Sequence, residues 1–487
     1  MGTFQSWDYE RMYTLSSWQK SRYNNGDWKD RINGDRLATM SPQDSSVVSM
    51  IKGSSAIGTA STCACTPSAT LAGALPPLRD ELASNSQDSS KHRVPGSHST
   101  GLHSSNTHVS GQSEWKFDPA RDSFDYSLSD SQCDNAFPDY YAEIDRAAMY
   151  YKDRGISEDD MNITERGNVV RAMIYDHQLY IMQTHITVEP GIFDLPRMMA
   201  ILGSIHRVIV AHQGPIPNVE FVFSLADAEW NPAPFWTLCR APEDESHWVM
   251  PDFGYWAWDN KIVGSYQQFV RELEDKSDFS KKKQLAFWRG SDSNEERHDL
   301  LRAAEGHEWA DIEAIIWGRP GNFTRMVDHC DYQYLVQTEG NSYSGRLKYI
   351  LNCASVVLMR RPYWIETFTH LLQSSGPDQN VIELDGFVTL PDVMSHHLSH
   401  PEDSENIARN AKELLKERYL TPAAQACYWR KMFEKWAKVQ SWEPKPWTVE
   451  QKSEGEGKDQ KVWEEKVWNG VTWELFMLTA YNSQGKV

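Results

Sequence analysis

From Trp115 onward, apolar runs of strand length alternate with stretches of helical period, and this alternation constrains the fold more than any other feature. Residues 219–227, VEFVFSLAD, stay apolar almost to the final Asp, as a strand covered on both faces does. Residues 282–291, KKQLAFWRGS, and 355–360, SVVLMR, have the same character. VVRAMIYDHQLYIMQT reads as two strands separated by a turn that contains His177. Around them, PDYYAEIDRAAMYYKDRG, PRMMAILGSIHRVIVAH, NEERHDLLRAAEG, WIETFTHLLQ, ENIARNAKELLKERYL and CYWRKMFEKWAKVQ place apolar residues at helical spacing. Such a succession predicts α/β layers with parallel sheets, and in those sheets ligands bind beyond the carboxyl ends of the strands.

The stretch before Trp115 is different in kind. No aromatic residue occurs between Trp28 and Trp115, although aromatics make up 12% of the chain. Ser, Gly, Thr and Ala dominate instead, too little apolar surface to offset the entropy of ordering. Residues 33–113 are therefore expected to be a disordered Ser-rich insert, and 1–32, which regain Trp and Tyr, an N-terminal extension. A net charge of -19 repels polyanions, which argues against nucleic acid as a partner. Cys63 and Cys65 are too close for an ordinary disulfide, the other cysteines are scattered, and the odd total of seven leaves the redox compartment undecided. The N-terminus has no apolar stretch of signal-peptide type, and no run of about 18 apolar residues marks a membrane span. Gly2 and Ser6 fit the myristoylation pattern, so membrane association is expected only through that lipid or through an anchor missing from the sequence.

Four stretches carry candidate chemistry. In EGNSYSGRLKYIL, Ser344 is placed to cap a helix whose second residue is Arg346, with Leu347, Ile350 and Leu351 as its buried stripe. A helix start with free N–H groups, glycines for close approach and a guanidinium fork suits a diphosphate; an ordinary capped helix with an exposed Arg has the same sequence. WRGSDSNEER repeats the pattern, with Ser293 and Glu296 at capping-box spacing and Arg297 in the first turn, where the helix dipole gives a cation no help. Asp227 ends a buried strand and is either a general base toward a hydroxyl or a cap or salt-bridge partner. WVMPDFGYWAWDN, with Asp252, Trp256 and Trp258, reads as a platform for a sugar or nucleoside, or as a loop packed on the core.

Taken together, FWRGS with Arg297 six residues after Ser291, CDYQYLVQTEGNSYSGRLKYILNCASVVL, WIETF, PDFGYWAW and CYWRKM resemble the CAP10-like glycosyltransferases, family 90. That family includes protein O-glucosyltransferases and fungal capsule xylosyltransferases. The resemblance covers roughly residues 115–445 and implies a GT-B fold, two Rossmann-like lobes with the site in the cleft between them. The lobes are expected at 114–275, on the acceptor side, and 276–440, on the nucleotide-sugar side, with 441–487 packing back on the fold. It implies an inverting enzyme that moves glucose or xylose from a UDP-sugar to a hydroxyl of a protein, polysaccharide or small molecule. By resemblance, Ser291, Arg297 and the loop Asn341, Ser342, Tyr343, Ser344, Gly345 and Arg346 line the nucleotide site, Asp227 is the base, and Glu366 joins the substrate platform. No Asp-x-Asp triplet occurs, so no metal and no cofactor are expected. Family members of the secretory pathway carry a leader that this sequence does not show. The alternative is a non-catalytic UDP-sugar or glycan-binding protein on the same fold.

Overall fold

The computed structural model describes residues 115–187, 193–258, 262–316, 322–454 and 461–483. The expected extension and insert, Gly2 and the Cys63 and Cys65 pair lie outside them. In chain order the first strands are β1 (Val169–Tyr175), β2 (Gln178–His185), β3 (Val219–Ser224), β4 (Trp236–Thr237) and β5 (Trp248–Val249). A small ladder of β6 (Ala257–Trp258) and β7 (Gly264–Ser265) follows. Then come β8 (Lys283–Gly290), β9 (Ala310–Ala314), β10 (Tyr332–Gln337), β11 (Val356–Arg360) and β12 (Ile382–Leu384). A hairpin of β13 (Trp447–Glu454) and β14 (Lys461–Trp468) precedes β15 (Val471–Thr472). The fold is mixed α/β.

The first large sheet runs in the order β15-β2-β1-β3-β4-β5. Its long strands are antiparallel, unlike the parallel layers the alternation predicts. The reason is local. Asp176 and His177 both take positive φ, 48° and 58°, the backbone of a two-residue hairpin turn, and such a turn can only join antiparallel neighbours. Parallel pairing is confined to β3, β4 and β5.

The second sheet is wholly parallel, in the order β12-β11-β10-β8-β9. Read from β9, this is the doubly wound order 2-1-3-4-5. The chain therefore leaves β8 toward one edge and β10 toward the other, and a crevice opens beyond the carboxyl ends of those two strands.

Tryptophan density is explained mainly by the core. Trp236 stacks on Phe221 with ring centroids 3.7 Å apart, and the helix Pro422–Val439 brings Trp429, Phe433 and Trp436 onto it. That helix follows the second sheet in sequence yet completes the core of the first. A disulfide, Cys133–Cys427, ties it to the helix Asp130–Ala136, and a second, Cys330–Cys353, joins the segments that lead into β10 and β11. These partners, 294 and 23 residues apart, could not be paired from spacing. WIETFTHLLQ, expected to be helical, forms only the short turn Thr369–Leu371. Ile365 is drawn out by paired backbone bonds with Arg240, so tertiary pairing overrides the helical period. No helix among the described residues is long and apolar enough to cross a membrane.

Candidate active site

Two loops meet at the crevice. One starts at Ser291, just after Arg289 and Gly290 at the end of β8; the other follows β10 and runs from Glu339 to Arg346. Asn294 caps the helix Glu295–Ala304, taking the Arg297 N–H at 3.0 Å, and its amide donates to the carbonyls of Glu339 and Gly340. One side chain thus starts the helix and ties the loops together. Ser293 does not cap, and Glu296 accepts from the Glu339 N–H at 3.2 Å, so the expected capping box is absent.

Arg297 is buried. Its guanidinium donates to the Ser291 carbonyl and hydroxyl, both at 2.9 Å, to Ser293 Oγ at 3.2 Å, and through Nε to the Glu339 carbonyl at 3.2 Å. Arg346 donates from Nη2 to the Arg289 carbonyl at 2.6 Å, while its Nη1 is buried with no hydrogen-bond partner. The two guanidiniums flank one indole, 6.0 and 5.4 Å from the Trp288 ring centre. Among the described residues neither forms a salt bridge. Burial draws Arg297 below the usual guanidinium range, and burial plus the charge of Arg297 brings Arg346 down to about 9. Two adjacent cations, one buried and one half-buried, without a counter-ion among the described residues are unfavourable unless an anion joins them. Gly290 makes the approach possible: a Cβ there would lie 2.6 Å from the Trp288 ring and 2.9 Å from Arg346 Nη2.

The helix after the second loop differs from expectation. It spans only Leu347–Leu351, with Arg346 rather than Ser344 at its cap position and no side-chain cap. The Leu347 N–H closes a turn onto the Ser344 carbonyl at 3.0 Å, which delays the first helical residue. An anion here would therefore meet guanidinium groups and not a helix end. Leu347, Ile350 and Leu351 are buried as expected. Within the loop, Asn341 is exposed, Ser342 is buried, Tyr343 and Ser344 line the cleft, and the Gly345 carbonyl accepts from Lys348 Nζ at 2.8 Å.

Lys348 was not singled out by sequence, yet a lysine inside the apolar run LKYIL was the available signal. It forms a buried ion pair with Asp252 at 2.6 Å, and the Tyr343 hydroxyl donates to the same carboxylate oxygen at 3.0 Å. Asp252 thus braces the loop from inside rather than offering itself to a substrate. Gly254 leaves room for this: a Cβ there would fall 2.6 Å from Lys348 Cε. Trp256 lies under the guanidinium of Arg207 and against Gly203, and Trp258 packs on Phe253 and Phe193. Neither indole is brought to the cleft.

Asp227 stands three residues past β3, with 47% of its side chain exposed. Arg197 holds its Oδ1 at 2.8 Å and also donates to the Leu225 carbonyl. Asp227 is thus the salt-bridge partner of one expectation, and about half of its side chain stays exposed. Its neighbour Ala228 packs, as Tyr343 does, against the cluster of Cys239, Ala241 and Trp364, so the Asp227 loop abuts the cleft wall. The cleft is also lined by Glu296, Gln337, Glu339 and Glu366. Burial raises the pKa of Glu366 well above the usual carboxylate range; burial, reinforced by Glu296, lifts Glu339 to about 7 against its bonds to the Tyr363 and Trp364 N–H groups. Arg197, Glu339 and Trp364 were not legible as site residues, because only the tertiary fold brings them here. Among the described residues no cluster of His, Cys, Asp and Glu is arranged to hold a metal.

A family model described as Glycosyl transferase family 90 matches residues 130–467. The O-glucosyltransferase rumi homolog of Aedes aegypti is 22% identical over 343 residues, 64% of this chain and 81% of that protein. Protein O-glucosyltransferase 2 of Danio rerio is 24% identical over 335 residues, 64% of each. O-glucosyltransferase rumi of Drosophila melanogaster is 24% identical over 202 residues, 38% of this chain and 48% of that protein. The match thus spans most of the first relative and between about half and two-thirds of the other two.

Proposed function

Because the chain belongs to glycosyl transferase family 90, we propose that it moves glucose or xylose from a UDP-sugar to an acceptor hydroxyl in a single inverting displacement. The observation that carries this reading is the pair of guanidiniums, Arg297 buried and Arg346 half-buried, without a carboxylate partner among the described residues at the switch point between β8 and β10. A diphosphate has the charge the pair lacks, and Ser291 with the loop Asn341 to Gly345 would line its approach. When the bond from the anomeric carbon to the diphosphate oxygen breaks, its electron pair leaves with UDP, and preformed cations stabilise the growing charge. The acceptor oxygen bonds the same carbon from the opposite face, and its proton passes to Asp227 while Arg197 steadies that carboxylate. With two guanidiniums on the diphosphate, the reading calls for no metal and no cofactor.

A GT-B arrangement goes with this reading, the acceptor lobe at about 114–275, to whose core the helix Pro422–Val439 returns, and the donor lobe over the rest of about 276–440. The two disulfides favour an oxidising compartment, such as the secretory pathway. The names of the relatives favour glucose as the sugar, and that of the Danio rerio protein favours a protein acceptor.

The test is a panel of UDP-sugars with hydroxyl acceptors, following released UDP for the wild type and Asp227→Asn. Release from one or two donors that falls about 10²–10⁴-fold in the variant, with UDP affinity unchanged, supports the assignment. Equal turnover in the variant removes Asp227 from the role. UDP binding without release to any acceptor would favour a non-catalytic binding protein.

A further inference from the structure

Three residues beyond Asp227 stands Trp230, 68% exposed. Its ring meets Trp364 edge-on at 5.3 Å, and Tyr363, 43% exposed, meets Trp364 at the same distance and 89°. Trp364 itself is only 7% exposed, so the surface rings of this aromatic patch are Trp230 and Tyr363, from two separate segments, with the buried Trp364 packed between them. Its outer end is fixed by the Tyr363 hydroxyl, which donates to Glu243 at 2.8 Å. Its inner end is Trp364, which lines the cleft beside Ser344 and Glu366. The patch thus runs from the candidate base to the candidate donor cleft, where an acceptor would have to lie. Clustered exposed aromatics of this kind mark binding sites.

The surroundings select the occupant. An apolar side chain would strip water from the carboxylates of Glu243 and Asp227, with no hydrogen bond in return. A cation would approach Arg360 and Arg361, which line the same cleft. A neutral polyhydroxylated ring suits both parts: its C–H face lies on an indole, and its hydroxyls donate to carboxylate oxygens that keep free lone pairs. We propose that Trp230 and Tyr363, backed by the buried Trp364, hold a pyranose ring of the acceptor and present one of its hydroxyls to Asp227, so that the acceptor is a glycan. This rests on the transferase reading above. A free polysaccharide and a protein-borne glycan both carry such a ring.

The test is a fluorescence titration of the full chain with glucose, xylose and mannose oligosaccharides, with a glycopeptide bearing one of these sugars, and with the same peptide unglycosylated. Tryptophan quenching by a sugar, weakened about tenfold in Trp230→Ala and restored in part by Trp230→Phe, is the expected result. The oligosaccharide and glycopeptide arms distinguish the two sources. Binding of the bare peptide alone, or sugar affinity unaltered by Trp230→Ala, would overturn the proposal. A parallel UDP titration keeps the two readings apart. UDP binding without any role for Trp230 sinks only the acceptor proposal, whereas loss of UDP binding in the wild type sinks the transferase reading.

Discussion

Arg346 and Lys348 lie two residues apart, and the fold treats their charges in opposite ways. Lys348 is buried against Asp252 at 2.6 Å, with a second bond to the Gly345 carbonyl. Arg346 reaches only a carbonyl, has a buried nitrogen with no partner, and faces another cation. A buried charge with its own counter-ion shapes the loop. In the proposed reading, a half-buried charge without one holds the loop ready for a ligand that brings the counter-charge.

Removing the counter-ion of Lys348 is the severest way to break the comparison. Asp252→Asn leaves a buried ammonium unpaired and should cost about 3–5 kcal/mol of stability by calorimetry, with much of it regained when Lys348→Met is added. A single variant that melts like the wild type would mean that the pair does not brace the loop.

Gly290→Ala acts on the other cation. The new methyl would crowd both the Trp288 ring and Arg346 Nη2, and overpacking of this kind costs about 1–3 kcal/mol. Since the crowded group is the unpaired guanidinium, nucleotide affinity should fall about tenfold alongside the melting temperature, whereas a purely structural glycine would lower the melting temperature alone.

The smallest effect is a pH dependence. Glu339, lifted to about 7 mainly by burial, is neutral on the acid side and charged above. Its charge appears in the cleft as pH rises, so UDP-sugar affinity should weaken a few-fold from pH 6 to 8 (about 0.7 kcal/mol or less). A UDP-sugar has no phosphate proton to lose in this range, unlike UDP, so the trend belongs to the protein. Glu339→Gln should flatten it; a slope kept in the variant would assign the trend to another group.

The two loops were legible in the sequence because each is a local pattern: a strand, then glycine, serine and arginine, then a helical stretch. β3, β8 and β11 were legible from their apolar runs, and β1 and β2 from the turn at His177, whereas β10 was not singled out as a strand. What sequence could not give depends on distant partners. Asp252 looked like a ligand contact because Lys348 lies 96 positions away. Trp256 and Trp258 looked like a platform because their packing on Gly203 and Phe193 is tertiary. Trp230 and Trp364, 134 positions apart, become one surface only when folded. The capping at Ser344 failed for a local reason, since the turn at Gly345 and Arg346 takes the positions that the helix was expected to use.

The central claim is tested most directly by calorimetric titration of UDP into the wild type and Arg346→Ala, with a thermal melt of each. The account predicts that the variant binds UDP about 10²-fold more weakly or worse and melts at or above the wild-type temperature, because a costly unpaired half-buried charge is gone. Unchanged UDP affinity in Arg346→Ala, or a melting temperature that falls as far as in Asp252→Asn, would contradict it.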